Sequence, residues 1–276
     1  MPKETLEETP FVPAGRFLLE IAFDGSGYSG WQIQPHRVAV QEVMQKTLTR
    51  LYGGQAIHLI GASRTDAGVH ALGFAASYLY PEFPQIPAFK VQSALNRLMP
   101  HDIRITSIRE VAKEFHTRYD AIGKAYTYVL NLGPDSPFTA RYSWRPARHI
   151  DPGLIAEGAK HLVGTHDFSS FVVERSLIED AVRTVYRVEV QKFGQYLCVT
   201  FVGNGFLYKM IRCFMGALEA VGAGKIPPER IAAIREAKDR TQAPETAPPY
   251  GLFLDKVFFD PAELEAFRLD GVPFFR

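Results

Sequence analysis

The stretch RFLLEIAF, residues 16–23, is followed by a segment in which the spacing of the apolar residues changes. Phe17, Leu19 and Ile21 recur at every second position, which predicts a strand with one buried face. In VQEVMQKTLTRLY, residues 40–52, the apolar residues recur at helical spacing instead. Because side chains alternate across a strand but return to one face of a helix every turn, this change predicts a strand followed by a helix.

The same order of strands and helices is predicted twice along the chain. The first half continues with two strands, a helix and a strand, near residues 58–62, 74–80, 88–98 and 102–111. The second half repeats the order β-α-β-β-α-β near residues 125–130, 152–164, 182–192, 196–203, 206–221 and 252–259, with an extra helix near 228–238. Two split βαβ units predict an α+β fold of two ferredoxin-like halves. We assign residues 16–115 and 116–276 to the halves and residues 1–15 to a flexible tail.

The composition is that of an ordinary globular protein and gives no sign of the ligand. The 31 basic and 30 acidic residues leave a formal charge of +1, so any basic surface for a nucleic acid must be local. Cys198 and Cys213 form no C-x-x-C pair, which argues against a zinc site and fits a reducing cytoplasm. The first ten residues lack the apolar core of a secretory signal, and Arg212 interrupts the longest candidate for a membrane span.

The loop GASRTDAGVHALG, residues 61–73, holds a carboxylate, Asp66, with several possible roles. Considered alone, an aspartate in such a loop is more often a turn cap than a functional group. A triad of Ser63, Asp66 and His70 is formally available, but the loop lacks the closing glycine of G-x-S-x-G and joins two strands. Paired-acid glycoside hydrolysis needs a second acid, which this loop does not supply. A single ionised aspartate suits a leaving group that needs no protonation, such as a base detached from its sugar.

Further candidates lie on the second half of the chain. Arg212 and Lys209 lie on the side of the predicted helix 206–221 away from its apolar stripe, which favours a solvated cationic face. Tyr126 and Tyr128 share one face of a strand, where core packing and stacking on a base are both open interpretations. Basic and aromatic residues alternate in HTRYDAIGKAYTY and ARYSWRPARHI, which is a weak signal of nucleic-acid binding.

Several blocks, in this order and at these separations, resemble the bacterial tRNA pseudouridine synthase A family. They include FDGSGYSGWQIQP, SRTDAGVHALG, GNGFLYKMIRCFMGALEAVGAGK and DRTQAPETAPPYGLFL, and the likeness extends over roughly residues 16–259. The resemblance implies the pseudouridine synthase fold, with a mixed, mainly antiparallel sheet and helices on one side. It also implies isomerisation of uridine at tRNA positions 38, 39 and 40 in the anticodon stem-loop. A homodimer, a cytoplasmic location, and no metal or other cofactor are implied as well.

The resemblance also implies roles for four residues. Asp66 matches the catalytic aspartate, which either attacks the ribose C1′ or abstracts the C2′ proton. Arg212 matches the arginine that pairs with this carboxylate and would keep it ionised. Tyr126 matches the tyrosine that packs against the target base, and Arg64 matches an arginine that helps to hold the flipped nucleotide. An RNA-binding protein that has lost catalysis is the alternative.

The sequence departs from the family pattern at a few positions close to these residues. Ser63 replaces the usual glycine before Arg64, Phe74 replaces a frequent glutamine, and Cys213 and Phe214 replace the usual pair after the arginine. The departures concern RNA contacts at the loop edges and leave the aspartate, tyrosine and arginine unchanged.

Overall fold

The computed structural model describes residues 12–173 and 179–276. Its strands are β1 (Pro13–Phe23), β2 (Ile60–Gly61), β3 (His70–Pro81), β4 (Ile103–Val111), β5 (Gly123–Asn131), β6 (Gly164–Asp167), β7 (Val182–Phe193), β8 (Tyr196–Gly203) and β9 (Leu252–Phe258). Its α-helices are α1 (Val40–Leu51), α2 (Ala88–Leu98), α3 (Pro152–Lys160), α4 (Met210–Gly222), α5 (Arg230–Ala237) and α6 (Pro261–Ala266). The predicted tail, residues 1–15, lies largely outside the described residues, and β1 begins within it.

The strands form one sheet in the order β4-β1-β3-β9-β5-β8-β7-β6, and β2 pairs with β3. The first half has the order β4, β1, β3, β2, and the second half has the equivalent order β9, β5, β8, β7. The neighbouring strands pair antiparallel except at one place, where β3 lies parallel to β9. The predicted α+β fold of two ferredoxin-like halves with a mixed, mainly antiparallel sheet is therefore confirmed.

The two halves meet at the parallel pairing of β3 with β9, which we call the seam. The seam consists of two residue pairs, His70 with Phe253 and Ala71 with Leu254. The rings of His70 and Phe253 stack with centroids 4.7 Å apart. A second link crosses between the halves, because the Tyr142 hydroxyl donates to Asp24 Oδ2 over 2.8 Å. The seam fixes the first half's loop before β3 next to the second half's strands.

The two faces of the sheet are covered differently. Along β5, Tyr126, Tyr128 and Leu130 join a large apolar core to which α1, α2, α3, α4 and α5 all contribute. Their neighbours Ala125 and Val129 face the opposite side, where α6 and the segment after it provide a smaller apolar cover. The short α6 and its cover are additions that the sequence did not predict. In the described parts of the chain, no helix is long and apolar enough to cross a membrane.

The helix boundaries follow local chemistry. Helix α3 begins where Asp151 accepts a hydrogen bond from the Gly153 amide, with Pro152 in the first turn, as expected of a helix start. The predicted helix 206–221 begins later, at Met210, because Lys209 has a left-handed backbone with φ of 58°. Residues 204–209 therefore form a loop instead of a first helical turn.

The loop after β1 lies against the loop that holds Asp66. Gly30, in the loop after β1, has φ of 83°, and a Cβ at this position would collide with the Thr65 carbonyl oxygen. The Trp31 amide donates to the same oxygen over 3.3 Å, and the Trp31 ring stacks on Phe74 with centroids 4.0 Å apart. This contact fixes the backbone immediately before Asp66.

Candidate active site

A cavity of about 1000 Å³ opens at the centre of the sheet's helical face. Its walls come from the loop 59–66 and Val69 of the first half, and from β5, the start of β7 and residues 206–212 of the second half. The four residues singled out by the resemblance, Asp66, Tyr126, Arg212 and Arg64, all line this cavity. Residues that are distant in sequence therefore meet at one place.

Asp66 and Arg212 form an ion pair at the cavity wall. Arg212 Nη1 donates to Asp66 Oδ2 over 2.6 Å, and each side chain is only 14% exposed. In the described chain no amide of the Asp66 turn donates to this carboxylate; the turn closes instead through Val69 N and the Asp66 carbonyl, 3.1 Å apart. The turn-cap interpretation of the side chain is therefore wrong, because the carboxylate is directed across the seam to the arginine.

The guanidinium of Arg212 is held by the loop 239–251, which covers α4. Arg212 Nε donates to the Ala247 carbonyl over 2.8 Å, and the Ala247 amide donates to the Arg212 carbonyl over 3.0 Å. One turn further along α4, a Cβ at Gly216 would collide with the Glu245 carbonyl oxygen. The periodicity of α4 placed Arg212 on a solvated face, and this prediction is wrong because the loop packs directly on that face.

Tyr126 forms part of the buried wall beside the ion pair. Its side chain is 6% exposed, its hydroxyl lies 3.0 Å from Ser63 Oγ, and its ring meets Phe206 edge-on at 5.5 Å. Burial raises the pKa of the Tyr126 phenol to about 12; the hydrogen bond to Ser63 opposes this rise, and the charge of Asp66 adds to it. The ring is therefore a neutral, apolar surface with a fixed orientation.

The hydrolase triad considered from the sequence does not form. Ser63 bonds Tyr126, Asp66 bonds Arg212, and His70 has other partners. His70 Nδ1 accepts from the Gly25 amide over 3.1 Å, while Nε2 lies 3.1 and 3.2 Å from two backbone carbonyl oxygens. With its ring 1% exposed and stacked in the seam, His70 has a structural role and cannot reach Ser63 as a base.

Arg64 and several further cations surround the ion pair. Arg64 is exposed at the cavity, and within the described residues its guanidinium has no hydrogen-bonded or ionic partner. Lys209 Nζ lies 4.7 Å from the Tyr208 ring centroid at the same rim. Among the described residues, the cavity lining includes six lysine or arginine side chains and three carboxylates, so this part of the wall is positively charged although the whole chain is nearly balanced.

The two stretches in which basic and aromatic residues alternate, residues 116–128 and 140–150, differ in whether they line the cavity. His116, Arg118, Tyr119 and Lys124 of the first stretch line the cavity. None of the second stretch lines it; Tyr142, for example, bonds Asp24 across the halves. Residues 12–173 and 179–276 contain no group of three His, Cys, Asp or Glu side chains that could hold a metal ion.

A duplicated ferredoxin-like sheet with one arginine-paired aspartate in a basic cavity is the arrangement expected of the pseudouridine synthase class. The family model described as tRNA pseudouridine synthase matches residues 21–120 and 159–260, which include both halves and the Asp66 and Arg212 segments. The chain belongs to the tRNA pseudouridine synthase family.

The relatives extend over nearly the same length. A protein of Exiguobacterium sibiricum named tRNA pseudouridine synthase A is 43% identical over 88% of this chain and 96% of its own. Proteins with the same name from Chlamydia trachomatis serovar L2b and Streptococcus pneumoniae are 40% and 42% identical, each over 89% of this chain and over 92% and 99% of their own. A chain from the crystal structure of a Cbf5-Nop10-Gar1 complex is far more distant, with a TM-score of 0.33 and 13% identity over 74% of this chain and 54% of that chain.

Proposed function

We propose that this chain isomerises uridine to pseudouridine in the anticodon stem-loop of tRNA, at positions 38, 39 and 40, with Asp66 as the catalytic residue. Membership of the family and the names of the relatives support the reaction. The observation that carries the proposal is the Asp66–Arg212 pair, because it puts one ionised carboxylate at the wall of a cavity large enough for a nucleotide.

The chemistry needs one carboxylate and no external reactant. In one route Asp66 attacks C1′, the N1–C1′ bond breaks and the electron pair leaves with the uracil anion; in the other, Asp66 removes the C2′ proton as this bond breaks. After the uracil turns, C5 bonds to C1′: in the first route it displaces the Asp66 carboxylate from C1′, and in the second Asp66 returns its proton to C2′. The C5 proton then passes to solvent, and N1 takes up a proton. Arg212 orients the carboxylate in either route, because its Nη1 donates to Asp66 Oδ2.

The other candidate residues hold the nucleotide. The neutral ring of Tyr126 gives the base an apolar surface on which to pack, and its hydroxyl is already occupied by Ser63. Arg64 has no partner for its guanidinium among the described residues and lines the cavity, so it is available to a phosphate or to the flipped base. A base must leave its stack to reach Asp66, and such contacts offset the cost of unstacking it.

The deciding measurement is release of tritium from tRNA labelled at uridine C5. We expect the wild type to release tritium and Asp66→Asn to release none, because the amide is neither a nucleophile nor a base. Asp135→Asn is the matched control: this carboxylate is 60% exposed and pairs with Arg145 on the surface, so its loss should leave release unchanged. Release by Asp66→Asn at the wild-type rate would disprove the assigned role.

The two routes differ in whether the C2′–H bond is broken. Deuterium at C2′ should slow the reaction severalfold if Asp66 removes that proton and have little effect if Asp66 attacks C1′. Tight tRNA binding by the wild type without tritium release would instead favour the RNA-binding alternative. The homodimer and the cytoplasmic location are proposals that rest on the family resemblance; light scattering of the purified protein and cell fractionation test them.

A further inference from the structure

Three cations at the cavity wall take no part in the ion pair of Asp66 and Arg212. They are Lys124 on β5, Arg118 in the loop before β5, and Arg183 on β7. We call them the cation cluster. Each faces the same cavity as Asp66, yet none was assigned a role by the resemblance.

Lys124 has a defined position relative to Tyr126. The two residues are two apart on β5, with regular pairing to Gly203 and Phe201 of β8, so both side chains leave the same face of the sheet. Two residues along a strand correspond to a separation of about 6.6 Å. An anion bound by Lys124 would therefore lie at the same wall of the cavity as a base that packs on Tyr126.

Lys124 is an uncompensated cation. Among the described residues no carboxylate pairs with it and no group accepts a hydrogen bond from it, although its side chain is partly buried in the wall. Burial, which is the largest cause, and the charges of Arg118 and Arg183 together lower the pKa of Lys124 to about 8. A cation held among like charges and away from water gains most from a bound anion.

The neighbours leave the cluster short of negative charge. Arg183 donates to the carbonyl oxygens of Asp180 and Val182, and only at 4.0 Å does it approach the Asp180 carboxylate. Arg118 lies over the Tyr119 ring, 6.0 Å from its centroid, with no carboxylate partner in the described chain. Glu179 and Asp180 line the cavity as well, but neither pairs with Lys124.

We propose that Lys124, Arg118 and Arg183 bind the phosphodiester group next to the target uridine and so position its ribose between Tyr126 and Asp66. The proposal rests on the proposed function, because it takes the ligand of the cavity to be an RNA strand. Phosphate groups are the anions that clustered Lys and Arg side chains bind most readily. Lys124 is a positioning residue here, since it acts on the phosphate and not on the reacting atoms.

The test measures binding of a synthetic anticodon stem-loop RNA over a range of salt concentrations. Each phosphate contact that is lost should reduce the slope of log Kd against log salt by about 0.7 to 0.9. We expect Lys124→Met to weaken binding about tenfold at low salt and to reduce the slope by this amount, and Lys124→Arg to restore both. Lys160→Met is the control, because Lys160 is 67% exposed on α3 and pairs with Glu157.

A modified RNA distinguishes a backbone phosphate from free phosphate. The linkage on one side of the target uridine is replaced by an uncharged methylphosphonate, and each side is tested in turn. One of the two replacements should weaken wild-type binding about as much as Lys124→Met does, and the same RNA should weaken Lys124→Met no further. The proposal would be overturned if each methylphosphonate RNA weakened binding by Lys124→Met as much as it weakens binding by the wild type. An unchanged salt slope in Lys124→Met would overturn it as well.

The outcomes separate this proposal from the assigned reaction. Tritium release by the wild type together with an unchanged slope in Lys124→Met would leave the enzyme intact and remove the phosphate site. The reduced slope without any tritium release by the wild type would support the phosphate site and reject the reaction. Circular dichroism of Lys124→Met and the recovery in Lys124→Arg exclude loss of folding as the cause.

Discussion

The buried carboxylate of Asp255 on β9 predicts a pH-dependent loss of stability. Asp255 is 6% exposed and faces the side of the sheet away from the cavity; in the described chain its Oδ2 has no hydrogen-bond partner. Its Oδ1 lies 3.5 Å from Arg276 Nη1, a long contact for an ion pair. Burial raises the pKa of Asp255 to about 7, and the opposing effects of Thr127 and Arg276 do not offset it.

The magnitude follows from the difference between the folded and the ordinary pKa, about 7 against 3.8. Well below pH 3.8 the carboxyl is neutral in both the folded and the unfolded chain, so its burial does not lower the free energy of unfolding through charge. As the pH rises through this interval the unfolded chain releases the proton first, so the folded state is destabilised by about 2 kcal/mol at pH 5 and about 4 kcal/mol above pH 7. At higher pH the carboxyl is ionised in both the folded and the unfolded chain, so the loss of stability no longer grows.

Asp255→Asn replaces this group with one of the same shape that carries no charge. Asp255→Asn should therefore be more stable than the wild type, and the difference in their free energies of unfolding should be about 2 to 3 kcal/mol larger at pH 8 than at pH 5. For a chain of this size that change is equivalent to roughly 4 to 6 °C in Tm. Urea denaturation followed by circular dichroism at several pH values measures it. Asp135→Asn, which removes an exposed carboxylate, should show a flat difference. A flat difference for Asp255→Asn as well would refute the raised pKa.

Substitutions at three further positions test the site and its support. Arg212→Ala should lower turnover about 10- to 100-fold, as expected for loss of a charged hydrogen bond worth about 1.5–3 kcal/mol, while tRNA affinity stays within about threefold. An equal loss of affinity in a filter-binding assay would instead identify a phosphate contact. Tyr126→Phe should keep most of its turnover because the ring remains, whereas Tyr126→Leu should lose more; equal rates would argue against packing on the base. Gly30→Ala should destabilise the fold by more than about 1 kcal/mol in urea denaturation, because φ is 83° and its Cβ would meet the Thr65 carbonyl; wild-type stability would contradict the close approach.

Most of the fold could be predicted because its signals are local. The change of apolar period from RFLLEIAF to the next segment corresponds to β1 and α1, and helix α2 has the predicted bounds, 88–98. The start of α4 could not be predicted in the same way. Nothing in the periodicity of residues 206–209 shows the left-handed backbone of Lys209.

The site was only partly predictable, because its contacts join distant parts of the chain. Asp66 and Arg212 are 146 residues apart, and periodicity assigned Arg212 to a solvated face. The loop that covers this face follows α5, and its packing on α4 has no signature within the helix itself. Alternation along β5 did place Tyr126 and Tyr128 on one face, but the approach of Lys124 and Arg183 to the same cavity was not predicted and required the order of the strands.

The seam has a consequence for how the protein would be inactivated by heat. The carboxylate of Asp66 precedes β3, and its arginine follows β8, so the ion pair exists only while the two halves remain in contact. The seam has two backbone residue pairs, whereas β5 and β8 share eight. Brief local opening between β3 and β9 would separate the two charges before the whole sheet unfolds. Catalysis should therefore fail at a lower temperature than the sheet itself melts.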